Sequence, residues 1–373
     1  MAQDQENRLE RLLKLLEHDP GNQMLLADAA EQALDEQQPE QSLELLRRRA
    51  ALVEPGPSEL NLAGVAKLKL KDYEGASEAF QSLFDTGADD PSIRFNLAWS
   101  RAMLKDQERA LMLLDETVTA ALPQAAMLEV QLLHDRGEFE RAIDQGRRHM
   151  VNYPDHPGLN AAVSVLAIDV GDEELARSSA LLGGGHPDAL TTLGTLALNE
   201  DRATDALVHF EQALAMNEGV PRAWIGRGLA KLLSENPSGA SADLDRGAEF
   251  FDDHSGSWIA AGWSHLIEGD TKSSRDRFKR ALVLDPDDAE AHGSLAAVSA
   301  IEGKIDEAIR HIELALGLDP QCFAAAVAKT LIASSEGDEE GARALLRQAF
   351  GTPIDKHGKT IAQMIARHGL LGN

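Results

Sequence analysis

The sequence predicts an all-α solenoid, an array of about ten stacked helix pairs with a capping helix at each end. Three observations carry that expectation. The chain has 373 residues, more than the roughly 250–300 at which a single hydrophobic core stops growing, so it is either divided or repetitive. It is 43% hydrophobic but only 4% aromatic, and its many Ala and Leu residues favour helix over sheet. The stretch "WIAAGWSHLIEGDTKSSRDRFKRALVLDP" beginning at Trp258 aligns without a gap to "HGSLAAVSAIEGKIDEAIRHIELALGLDP" beginning at His292, an offset of 34. That alignment matches Gly269 with Gly303, Phe278 with Ile312, Ala281 with Ala315 and Pro286 with Pro320.

Taken in chain order, residues 1–19 contain "NRLERLLKLLEHDP", an amphipathic helix that reads as an N-terminal cap. Repeats then fall at 20–56, 57–90, 91–122, 123–156 and 157–186, and at 187–220, 221–254, 255–288, 289–322 and 323–356. Each holds two apolar helical patterns around a short turn marked by Gly, Asp or Lys, as at Gly137, Gly171, Asp201, Gly269, Gly303 and Gly337. Small residues recur where the two helices approach: Gly64, Ala98, Gly194, Gly228, Gly262 and Ala296 on the first helix, and Ala76, Ala110, Ala142, Ala176, Ala206, Ala240, Ala308 and Ala342 on the second. The first repeat is read as carrying extra residues around "LDEQQPEQ". The run "SSALLGGGHPDAL" (178–190) shortens the fifth repeat, and its glycines suggest a change of superhelix direction or a hinge between halves spanning 20–186 and 187–356. Residues 357–373, with Ile361, Met364 and Ile365 on one face of "KTIAQMIARHGLL", read as a C-terminal capping helix. A single helix pair cannot bury its own apolar stripe, so stacked neighbours complete the core and caps close its ends.

This pattern resembles the tetratricopeptide repeat family over almost the whole chain. Leu190, Leu193, Gly194, Ala206, Phe210 and Ala213 fit the family signature in one repeat, and Trp258, Gly262, Phe278, Ala281 and Pro286 in another. The resemblance implies a right-handed superhelix with a concave groove lined by the first helices. Polar residues depart from the signature at its seventh and eleventh positions: Glu129, Arg227 and Lys329, and Lys67, Arg101, Lys231 and His265. Arg101 and Glu129, in adjacent repeats, are candidates to pair.

Signatures of catalysis are missing. "HGKT" (357–360) has Pro353 where a P-loop needs its first Gly, no H-E-x-x-H or G-x-S-x-G occurs, and the carboxylates are too widespread to single out an acid–base pair. The one cysteine, Cys322, excludes an intramolecular disulfide. No enzyme activity, cofactor or metal is expected. The net charge of −26 repels phosphate backbones and argues against nucleic acid. An acidic N-terminus and the absence of a long apolar run point to a cytoplasmic protein without membrane insertion.

The sharpest functional feature is "RFNLAWSRAML". With Leu97, Ala98 and Ala110 fixing the frame, Phe95 and Trp99 are fifth and ninth in their repeat, roughly 110° and 150° from the core stripe at about 100° per residue. If the resemblance holds, they face the groove, with Met103 one turn further on and Met127 in the next repeat. Ile225 and Leu229, and Ile259, Trp263 and Ile267, occupy the corresponding face downstream. Members of the family that clamp a chaperone's carboxylate tail use Lys or Arg with Asn at the fifth and ninth positions. Here Asn61 with Val65, Phe95 with Trp99 and Met127 with Gln131 form no such clamp. The expectation is therefore a non-catalytic scaffold, adaptor or chaperone-like receptor whose apolar groove takes an amphipathic, basic segment of a partner protein. A self-associating oligomer, or a receptor for a short peptide or small ligand, are the alternatives.

Overall fold

The computed structural model describes residues 7–234, 238–251, 253–338 and 340–341. Among these residues there are 21 α-helices and no strand. The chain forms two compact units, one ending at Asp172 and the other beginning at Glu173. That division falls between the two helices of the fifth repeat, upstream of the glycine stretch in which the sequence suggests a hinge.

In the first unit α1 (Arg8–His18) leads into the pairs α2 (Gln23–Asp35) and α3 (Pro39–Ala50), then α4 (Pro57–Lys69) and α5 (Tyr73–Asp85). Next come α6 (Pro91–Met103) with α7 (Gln107–Leu113) and α8 (Glu116–Ala121), the pair α9 (Pro123–Asp135) and α10 (Phe139–Asn152), and finally α11 (Pro157–Val170). In the second unit α12 (Glu173–Gly183) precedes the pairs α13 (Pro187–Asn199) and α14 (Ala203–Met216), then α15 (Pro221–Leu233) and α16 (Ala240–Phe251). It continues with α17 (Ser255–Ile267) and α18 (Thr271–Leu284), α19 (Ala289–Ile301) and α20 (Ile305–Leu318), and then α21 (Phe323–Ser335). Within each unit, successive helices pack on one another. The first described helix, α1, buries Leu9 and Leu16 against α2. The C-terminal cap expected at 357–373 lies outside the described residues.

Two expectations about the repeats are corrected. The first repeat has no insertion: α2 and α4 start 34 residues apart, as do α3 and α5, and Pro39 sits at the first turn of α3, where its missing N–H costs nothing. The third repeat's second helix is not continuous. It breaks after Leu113, and the Asp115 carboxylate accepts from the Val118 N–H (3.1 Å) to cap α8 while pairing with Arg94 at 2.7 Å.

The core rests on rings placed against missing side chains. Phe80, Phe210 and Phe278 are fully buried. A Cβ added at Gly64 would lie 2.6 Å from Phe80, one at Gly194 2.7 Å from Phe210, and one at Gly262 2.3 Å from Phe278. Phe210 also fills the space beside Gly226 of the following repeat, where a Cβ would come within 2.2 Å. The small residues of the first helix thus admit an aromatic ring of the second.

The turn between paired helices is equally regular. Left-handed residues stand at Gln37, Lys71 and Lys105, and again at Gly137, Gly171, Asp201, Gly269, Gly303 and Gly337, with φ between 60° and 84°. After each, an N–H reaches back five residues to close the preceding helix: Asp72 to the Lys67 carbonyl (2.9 Å), Asp270 to His265 (2.9 Å), Lys304 to Ser299 (2.8 Å). This is the Schellman closure that normally selects glycine.

Helix starts use less usual groups. His156, His186 and His254 cap α11, α13 and α17 by accepting backbone N–H groups on Nδ1, which they do only while that nitrogen is unprotonated. At α21 the Cys322 sulfur accepts the Ala325 N–H, while the Glu290 carboxylate of α19 accepts those of Phe323 (2.7 Å) and Ala324 (3.1 Å). Burial pushes the Cys322 thiol up to about 12.

His292 and His311 meet across α19 and α20 with Nδ1 atoms 3.1 Å apart, and the His292 Nε2 donates to the Pro286 carbonyl. Burial first, and His292 second, hold His311 below its ordinary value of 6.5, with Arg275 and Arg310 adding to this and Glu307 opposing it. The unfolded chain therefore takes up this proton at higher pH than the folded one, so stability is present above about pH 6.5 and is lost as pH falls below it. We expect the urea midpoint to drop between pH 7.5 and 5.5, and to drop less in His311→Gln. In the turns, Lys105→Gly should raise stability by about 0.5–1 kcal/mol by relieving a left-handed side chain, and Gly269→Ala should lower it by about 1 kcal/mol, both read from urea midpoints.

Candidate functional site

The candidate residues lie on first helices, and each unit presents its own set. In the first unit the rings of Phe95 and Trp99 stack tilted, with centroids 6.3 Å apart and planes at 45°. Both are half-buried and pack against the cluster that holds Phe80, Leu97 and Leu128, so they are shared between surface and core. Met103, at the end of the same helix face, is exposed. Met127 is half-buried, its sulfur 2.8 Å from where a Cβ of Gly158 would stand.

In the second unit Ile225 leans on Gly247 of α16, where a Cβ would be 2.6 Å from its Cδ1. Ile259 packs on the cluster of Phe278, Leu295 and Val298. Trp263 touches three core clusters and meets Phe278 edge-on, with centroids 5.8 Å apart. Leu229 and Ile267 are different, being 37% and 68% exposed. They belong to a stripe that sequence reading took only in part: Leu233 (40%), Ile267 (68%) and Ile301 (50%) close α15, α17 and α19 at intervals of 34 residues. Leu229 and Leu233 share one face of α15, four residues apart. The same spacing that defines the repeats would have found Leu233 and Ile301.

Two of these residues precede carboxylates in the chain. Glu268 and Glu302 directly follow Ile267 and Ile301. Glu268 accepts from the Ser241 hydroxyl at 2.8 Å, and Glu302 is held by Arg275 (2.8 Å) and Lys304 (2.7 Å). Other polar pairs tie the helices together. Asp243, buried, takes both Arg227 nitrogens (2.7 and 2.6 Å) and Lys231 (2.7 Å). Asp245 takes Arg277 in the same two-point manner and His265 at 3.0 Å. Burial pushes the Asp245 carboxyl up, but the hydrogen bonds from Arg277 and His265 outweigh it and hold the group below the usual carboxylate range. Arg227, Lys231 and His265, polar departures at the seventh and eleventh repeat positions, are thus partners between helices. Arg101 and Glu129 do not pair, because Arg101 donates to Gln81 and Glu129 meets His149 at 2.6 Å.

The tetratricopeptide repeat family model matches residues 61–126, 191–253 and 259–322, more than half of the chain. The chain belongs to the tetratricopeptide repeat family. Each unit is accordingly an all-α stack of tetratricopeptide helix pairs. Among solved structures, PilF of Pseudomonas aeruginosa is 14% identical with a TM-score of 0.46, the match covering 58% of this chain and 97% of that one. The Cut9–Hcn1 hetero-tetramer of the APC/C gives 13% and 0.41, over 92% and 86% of the two chains. MamA gives 18% and 0.35, over 43% and 90%. A search of curated proteins finds no match. Among the described residues, no helix is long and apolar enough to cross a membrane.

The two kinds of apolar residue separate by mutation. Trp263→Ala, which removes contacts to three clusters, should cost about 2–4 kcal/mol in urea denaturation, whereas Ile267→Ala should stay within about 0.5 kcal/mol of the parent.

Proposed function

We propose that this tetratricopeptide protein is a non-catalytic, cytoplasmic interaction scaffold that grips an amphipathic, basic segment of a partner protein. A protein-interaction role follows from the family, while the partner's chemistry is our reading of the surface. The observation that carries it is the set of Leu229, Leu233, Ile267 and Ile301 in the second unit, exposed on first helices, with Glu268 and Glu302 following Ile267 and Ile301 in the chain. Large apolar side chains left exposed at one repeat position on successive first helices are the pattern an interaction surface needs, unlike an isolated exposed leucine. The overall charge of −26 favours encounter with a cationic segment and sets orientation more than final affinity. The apolar side chains of that segment would supply the binding energy, at roughly 25 cal/mol per Å² covered. Phe95, Trp99, Met103 and Met127 offer the first unit's counterpart, with Phe95, Trp99 and Met127 contributing only the part of each side chain that the core leaves uncovered.

The test uses a fluorescein-labelled 18-residue Lys/Leu amphipathic helix as probe. We expect saturable binding that weakens at least tenfold in Ile267→Ser plus Ile301→Ser, with the circular dichroism spectrum unchanged, and that weakens moderately with added salt. Equal binding by parent and double variant would overturn the proposal. Light scattering on the same samples separates partner binding from filling of the stripe by a second copy of the chain.

A further inference from the structure

A cleft of about 370 Å³ opens between α3 and α4, in the first unit and apart from the residues discussed above. Its apolar lining comes from Leu43, Leu46, Leu60 and Ala63, and its polar lining from Arg47, Arg49, Glu59 and Lys67. Three cations against one carboxylate is the reverse of the chain as a whole. The single acid is already engaged: Glu59 meets Arg49 at 3.2 Å and accepts the Gly56 N–H at 2.9 Å. Asp72, on the turn beside Lys67, spends its carboxylate on the Gly75 N–H.

The internal repeat shows what belongs at this place. Arg47 and Lys67 lie 34 residues before Gln81 and Arg101, which are hydrogen-bonded across the equivalent junction of α5 and α6. Asp245 and His265, separated by the same 20 residues, bond across α16 and α17. Both junctions join a donor to an acceptor. The α3–α4 junction alone of the three has two cations facing one cleft. Lys67 finds only the Gly75 carbonyl, at 3.1 Å. Arg47 pairs with Glu44 one turn back on its own exposed face, where an ion pair adds little and is readily given up. On the same lining, the Arg49 Nη1 is buried and without a hydrogen-bond partner.

We infer that the α3–α4 cleft is a binding site for a carboxylate carried on an apolar tail, the carboxylate bridging Arg47 and Lys67 and the tail lying on Leu43, Leu46, Leu60 and Ala63. The volume falls in the range of about 300–1,000 Å³ usual for small-ligand pockets. The site uses a second helix and the eleventh position of the next first helix, so it works independently of the stripe in the second unit.

The test is calorimetric titration of the full chain with octanoate, with octanamide as the uncharged control. Octanoate should bind saturably, octanamide at least tenfold more weakly, and octanoate alone should raise the melting temperature. Arg47→Gln installs opposite Lys67 the kind of pair that Gln81 and Arg101 form, so this variant should fold at least as stably as the parent while losing octanoate binding at least tenfold. Lys67→Gln should lose it likewise. Failure of octanoate to bind the parent, equal binding of acid and amide, or unchanged binding by a folded Arg47→Gln would each overturn the inference.

Discussion

The spacing of the paired helices depends on a ring set against a position that has no side chain. Phe80, Phe210 and Phe278 sit over Gly64, Gly194 and Gly262, closer than any Cβ would allow. That approach brings first and second helices near enough to exclude water, and it makes these three repeats depend on a residue too small to contribute burial itself. Phe210 extends the principle across repeats by also occupying the room beside Gly226. Interiors packed to crystal-like density transmit such constraints, so the orientation of each first helix is fixed by a contact on its inner side. The outward face then falls where it must, and the recurrence of Leu233, Ile267 and Ile301 at the helix ends is a consequence of the inner register.

The polar pairs add specificity to that packing. A carboxylate such as Asp243, reached by Arg227 and Lys231 at once, leaves no buried charge uncompensated and admits few other arrangements of α15 on α16. Where the between-repeat pair of the kind Asp245 and His265 form is replaced by two cations, as with Arg47 and Lys67, the junction has an open cleft. Stability and openness here are alternative outcomes at one repeat position.

Much of this was legible in the sequence, because a 34-residue period repeats both the apolar pattern and the turns. The glycines at 137, 171, 269, 303 and 337 announced their left-handed conformation. Gln37, Lys71 and Lys105 did not: they adopt the same conformation because the Schellman closure imposes it, and without a glycine to mark the turn the first repeat looked longer than it is. The break between α7 and α8 was hidden because Asp115 is ordinary in composition and becomes a cap only through its local geometry and Arg94. For the candidate site, angular position alone did not separate Met103, Leu229 and Ile267, which are exposed, from Phe95, Ile225 and Ile259, which lean on the core. How deeply Trp99 and Trp263 are drawn into the core depends on side-chain packing among helices, which periodicity does not encode.

The capping of α21 has a consequence for how the protein is made. Its first N–H groups are received by Glu290, a residue 33 positions earlier that belongs to the repeat before it. Ser255 and Asp288 are joined over the same interval one repeat upstream. A ribosome delivers the chain N-terminus first, so the acceptor for α21 is already held in a completed helix when the donors emerge. The newest repeat then grows on a finished template, and nucleation, the costly step for an isolated helix, is shared with the repeat behind it. Synthesis and assembly run in the same direction along this end of the molecule.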